Sequence, residues 1–141
     1  LNKIALIMIY GITKGTDFEK LCDGAAKAEA AGVMTYYALA RMAKEQGYPD
    51  EVSETFINMA NQEAVHAGFY ATLNGKYDAD IWKIAESFAK GEENGETQVS
   101  QFAKAFRAAG LNEAADEMEI FAKQEGHHGA ALRAMIERYK K

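Results

Sequence analysis

Three observations predict an all-α protein, a four-helix bundle built from two similar helical hairpins. Proline occurs once, at Pro49, in a chain rich in Ala, Glu, Lys and Met, which are favourable in helices. Helical periodicity breaks at Gly47-Tyr48-Pro49-Asp50, Asn74-Gly75-Lys76-Tyr77-Asp78 and Gly110-Leu111-Asn112, each joining a helix-ending Gly to a capping Asp or Asn. Between these breaks apolar residues recur at spacings of three and four. At 141 residues the chain buries a core without help from disulfides or metals.

Residues 1–16 form an N-terminal segment with no assigned role, and residues 17–141 the bundle. The apolar opening from Ile4 to Ile12 is too short to span a bilayer, lacks a small-residue cleavage site and has no place in a minimal four-helix core. It is therefore expected at an interface between two copies of the chain. The first helix, about 17–46, starts at a capping box, Thr16-x-x-Glu19, and its inner positions are Cys22, Ala25, Glu29, Gly32, Tyr36, Leu39 and Ala43. The second, about 51–73, turns Val52, Phe56, Met59, Glu63, His66, Tyr70 and Leu73 inward. The third, about 79–109, offers Ile81, Ala85, Phe88, Glu92, Gly95, Val99, Phe102 and Phe106. The fourth, about 112–139, offers Met118, Phe121, Glu125, His128, Leu132, Met135 and Tyr139.

Several functions are excluded by composition. A net charge of −5 with interspersed lysines lacks the basic face that nucleic acid requires. Cys22 is the one cysteine, so no internal disulfide and no cysteine-ligated metal cluster can form, and any metal must be held by carboxylates and imidazoles. A reducing, cytoplasmic setting without membrane attachment is the expectation.

Two of the three histidines end the same word, Glu63-Ala64-Val65-His66 and Glu125-Gly126-His127-His128. Residues three apart share a helix face, so each Glu-x-x-His presents a carboxylate and an imidazole to one point. Both words fall on an otherwise apolar seam, where such groups are costly to bury without partners. The halves also repeat: Glu29 precedes Gly47, and Glu92 precedes Gly110, by 18 residues. This spacing selects Glu92, rather than Glu93 or Glu96, as the counterpart of Glu29. His127 points about 100° away from His128.

Glu29, then Glu63-x-x-His66, then Glu92, then Glu125-x-x-His128 resembles the ferritin-like di-iron carboxylate bundles, in which two helices give a Glu and two give Glu-x-x-His. Within that group the chain is most similar to the rubrerythrins over residues 17–139. The cues are Tyr36 seven residues after Glu29, the stretch Met59-Ala60-Asn61-Gln62-Glu63-Ala64-Val65-His66-Ala67, and Phe121-Ala122-Lys123-Gln124-Glu125 leading to His128.

The resemblance implies two iron ions, with manganese or a mixed pair as the alternative. Glu63 and Glu125 would bridge them, Glu29 and Glu92 would bind terminally, and His66 and His128 would supply nitrogen. It assigns Tyr36 to a hydrogen bond with a ligand carboxylate, as the candidate catalytic residue. The activity implied is reduction of hydrogen peroxide in oxidative stress defence, with electrons from an external donor such as a rubredoxin, since the rubredoxin domain of the family needs two cysteine pairs. A homodimer, in some relatives with exchanged helices, is the implied assembly. The family's further third-helix Glu falls at Gly95 here, and Glu96 could replace it only through a π-bulge. The other readings are a ferritin-like ferroxidase that binds iron and a non-catalytic bundle stabilised by metal.

Overall fold

The structure, a computed structural model, describes residues 8–141. Residues 1–7, which hold the first part of the apolar opening, lie outside the described residues. Four helices account for the fold: α1 (Glu19–Glu45), α2 (Asp50–Leu73), α3 (Ile81–Ala108) and α4 (Asn112–Tyr139), with no strand among the described residues. The all-α, four-helix architecture of two similar hairpins stands, with helix ends within about two residues of expectation. Helix α1 packs on α2, and α3 on α4. One compact unit ends at Ala79 and the second is Asp80–Lys141. No helix among the described residues is long and apolar enough to cross a membrane.

The predicted helix stops are formed as the glycines suggest. After α1, Gly47 takes φ +77°, its N–H donates to the Lys44 carbonyl, and Tyr48 N–H donates to the Ala43 carbonyl. Gly110 repeats this pattern with Arg107 and Phe106 at φ +81°. Both are Schellman ends, whose left-handed residue suits glycine because a Cβ would be strained there.

The helix starts differ from expectation. The capping box does not form: Glu19 accepts from Gly15 N–H at 2.6 Å rather than from Thr16, and the Thr16 hydroxyl accepts from Phe18 N–H. A turn preceding α1 has brought the Gly15 amide nearer to the carboxylate. Asp50 lies inside the first turn of α2 behind Pro49, and Asn112 inside α4; neither start has a side-chain cap. At α3 the cap is Asp80, which accepts from Trp82 N–H at 3.0 Å, rather than Asp78. Residues 9–16 run as a strap across the end of the first hairpin, with Gly11 N–H donating to Thr72 O and Thr13 N–H to Leu73 O.

Buried positions within each hairpin are mostly small. They include Cys22, Ala26, Ala40 and Ala43 on α1, Ser53 and Ala60 on α2, Ala89 and Ala103 on α3, and Ala115, Ala122 and Gly129 on α4. On α4 three of these recur every seven residues, the repeat that keeps two nearly aligned helices in contact. Small side chains allow close approach of the backbones. The larger residues assigned to the inner seam flank this stripe, and Met59, Phe88, Phe102, Phe121 and Met135 remain exposed within their own unit. The seam is therefore split, one edge closing each hairpin and the other left as an apolar face.

Candidate metal centre

In the first unit, α1 supplies Glu29 and α2 supplies Glu63 and His66. One potential ligand atom from each lies within 4.8 Å of the others. His66 Nδ1 stands 3.5 Å from Glu29 Oε2. The trio forms because the three-residue step from Glu63 to His66 turns both toward the point on α1 occupied by Glu29. A side chain on α1 opposite Glu63 would interfere: a Cβ at Gly32 would lie 3.3 Å from Glu63 Cδ. Gly32 gives space to the motif carboxylate itself.

The second unit repeats this construction. Glu92 of α3 joins Glu125 and His128 of α4 within the same 4.8 Å limit, and His128 Nδ1 lies 3.5 Å from Glu92 Oε2 and 4.0 Å from Glu125 Oε2. Gly95 takes the part of Gly32, with Glu125 Oε2 at 3.5 Å from where its Cβ would stand. Here the carboxylates show their mutual strain. Hydrogen bonding to Glu92 raises the pKa of Glu125 above its ordinary value, with desolvation and the negative charge of Glu92 adding to the effect and His128 opposing it. When protonated, Glu125 donates to Glu92.

Neighbouring acids are directed elsewhere. Glu93 is held by Arg133 through paired contacts of 2.9 and 3.1 Å, which lower its pKa. Glu96 lies over the backbone of α4, where a Cβ on Gly126 would come 2.5 Å from Glu96 Oε2. Helix α3 runs as unbroken α-helix from Ile81 to Ala108, so no π-bulge turns Glu96 toward the trio. Tyr36 is half-buried and stacked on Phe56 of α2, with centroids 6.2 Å apart and planes 20° apart. Cys22 is buried and free, and His127 is exposed. Two features escaped the sequence reading. The small-residue stripe was legible as Ala115, Ala122 and Gly129 at heptad spacing, whereas the cavity beside Glu29 and His66, lined also by Val65, Phe69 and Tyr70, depends on how the helices meet.

Each donor set fits a divalent metal: two carboxylates and one imidazole would bring two negative charges to oppose the two positive charges of the ion. Oxygen and imidazole donors suit iron, manganese and related metals, and spacing below 4.8 Å lets small side-chain rotations bring all three atoms onto one ion. The glycines opposite the motif glutamates provide the cradle.

A helix that gives a Glu, followed by a helix that gives Glu-x-x-His, with the pair then repeated, is the ligand pattern of the ferritin-like di-iron carboxylate proteins. The chain belongs to the rubrerythrin family, whose model matches residues 20–136. It is 32% identical over 131 residues to an uncharacterized protein of Methanocaldococcus jannaschii, covering 93% of this chain and 92% of that one. It is 33% identical over 137 residues to reverse rubrerythrin-1 of Clostridium acetobutylicum, covering 93% of this chain and 74% of that protein. No solved structure matches the chain at a significant level.

Proposed function

We propose that this rubrerythrin-family protein is a di-iron peroxidase that reduces hydrogen peroxide to water, in defence against oxidative stress, using electrons from a separate redox protein. The observation that carries the reading is the duplicated trio, Glu29, Glu63 and His66 with Glu92, Glu125 and His128. A pair of irons held by these residues would supply two electrons to peroxide and recover them from the donor. The four carboxylates balance the charge of a reduced pair, and each can shift between bridging and terminal binding as that charge changes. His66 and His128 would each supply a nitrogen ligand. Glu63 and Glu125, each of which lies against a glycine of the facing helix, are proposed as the bridging ligands on the pattern of the family. Tyr36, on the seam of Glu29, is proposed to hold a ligand carboxylate in place through its phenol.

A donor of rubredoxin type is proposed on the pattern of the rubrerythrin family. A homodimer, with helix exchange as one form, is the proposed assembly. Its support is the exposed apolar surface around the trios: Val65 and Phe69 in the first unit and Phe88 and Phe121 in the second are all exposed within their units.

Anaerobic loading with ferrous iron, followed by stopped-flow mixing with peroxide or dioxygen, tests the function. Oxidation by peroxide should be the faster, with no mineral formed, and a rubredoxin-type donor should sustain turnover. Faster oxidation by dioxygen with mineral growth would replace this reading with a ferritin-like ferroxidase. Metal binding without turnover would leave a metal-stabilised bundle.

A further inference from the structure

The two trios repeat each other, but their surroundings do not. Beside Glu29 and His66 an open cavity of about 480 Å³ is walled by Val65, Phe69 and Tyr70. The Tyr70 phenol is the one polar side-chain group of this lining outside the trio. Tyr70 follows His66 by four residues and so stands one turn further along the same face. The Phe69 ring meets it edge-on, with centroids 5.6 Å apart and planes 69° apart. At the matching positions after His128 the second unit has Ala131 and Leu132. The duplicated hairpin thus keeps the same ligand types while only the first half carries a phenol and an aromatic wall at these positions.

The Tyr70 phenol is the hydrogen-bond donor that this lining offers besides the trio, and a bond from it to an anion is stronger than one between neutral groups. We propose that Tyr70 donates a hydrogen bond to a small anionic oxidant of the hydroperoxide class held in this cavity, so that the oxidant binds beside Glu29 and His66 through a donor that the second trio, with Leu132 at the matching position, lacks. This rests on the di-iron peroxidase reading. Tyr70 keeps its proton and gives up no electron; its part is to bind and orient. Leu132 can make no such bond, which is the source of the asymmetry.

Azide titrated into the iron-loaded full chain, followed by absorbance, tests the assignment. Tyr70→Phe should weaken azide binding about tenfold, the loss expected for one charge-assisted hydrogen bond. Tyr70→Leu, which copies the second half, should do the same and serves if the phenylalanine variant folds poorly. Iron stoichiometry and helicity should match the parent chain in both. Tyr37→Phe, which removes an exposed phenol bonded to Asn61, should leave azide affinity unchanged. A solvent-deuterium shift of the azide infrared stretch in the parent chain should vanish in Tyr70→Phe, a change that mere repacking would not produce. Azide affinity within twofold of the parent in both Tyr70 variants overturns the assignment while leaving the di-iron reading intact. A parent chain that takes up no iron overturns both.

Discussion

Glu125→Gln should make the metal-free protein more stable and the metal site useless. Glu92 and Glu125 lie within 4.8 Å of each other, and two like charges at that separation repel by roughly 0.9 kcal/mol in a water-like dielectric. The Glu125 side chain is 35% exposed, so solvent screening holds the net effect to about 0.5–1 kcal/mol. Glutamine is isosteric, nearly equal to glutamate in helix propensity, and able to donate its amide N–H to Glu92 where a charged Glu125 cannot. Glu125 lies far from both ends of α4, so no helix-dipole effect offsets this gain. The metal-free variant should therefore melt about 1–4 °C higher near neutral pH, by circular dichroism. Iron affinity, read by calorimetric titration under anaerobic conditions, should fall by more than the about 10–100-fold typical of losing an outer partner of a metal ligand. A lower melting point in the metal-free state would show that Glu125 is a structural carboxylate, and full iron stoichiometry in the variant would remove it from the metal site.

Because the hydrogen bond to Glu92 raises the pKa of Glu125 above its ordinary 4.5 in the folded chain, protonated Glu125 stabilises the metal-free fold fully below that value and ceases to do so as pH rises through the raised one. Metal loading runs the other way, since a ligand carboxylate must lose its proton to bind the ion: calorimetry on the parent chain at about pH 5.5 should show weaker loading than at about pH 7.5. Gly95→Ala places a Cβ in ordinary contact with Glu125 and should stabilise α3 by about 0.5–1 kcal/mol in urea denaturation, whereas Gly129→Ala sets its Cβ 3.2 Å from Glu93 Cγ and 3.4 Å from the Ala89 carbonyl. Overpacking there costs about 1–3 kcal/mol and should cancel or outweigh the helical gain. Glu63→Ala and Glu125→Ala should each abolish binding of a second iron, while Glu96→Ala, which removes a side chain lying over Gly126, should leave the stoichiometry of two unchanged by colorimetric iron assay.

Sequence alone determined the helix count, the glycine stops and the duplication, because these depend on local periodicity and on the cost of left-handed backbone at Gly47 and Gly110. The trio members were legible for the same reason: a Glu-x-x-His word on a helix face is a local geometric fact, and the spacing to the turn glycines carried Glu29 and Glu92 to the matching height. Tertiary structure decided what depends on how one backbone approaches another. Glu19 bonds Gly15 rather than Thr16 because of a turn preceding the helix. Small residues, rather than the large ones of the expected seam, close each hairpin, because close approach of two helices is limited by the volume between them. Gly32 and Gly95 receive carboxylates of the facing helix, and Glu92 raises the pKa of Glu125. Tyr70 could be assigned to the inner seam from its spacing, but its place in a cavity beside Glu29 and His66 arises only when α1 and α2 are set side by side. Distances across helices follow from packing, which no local pattern of residues encodes.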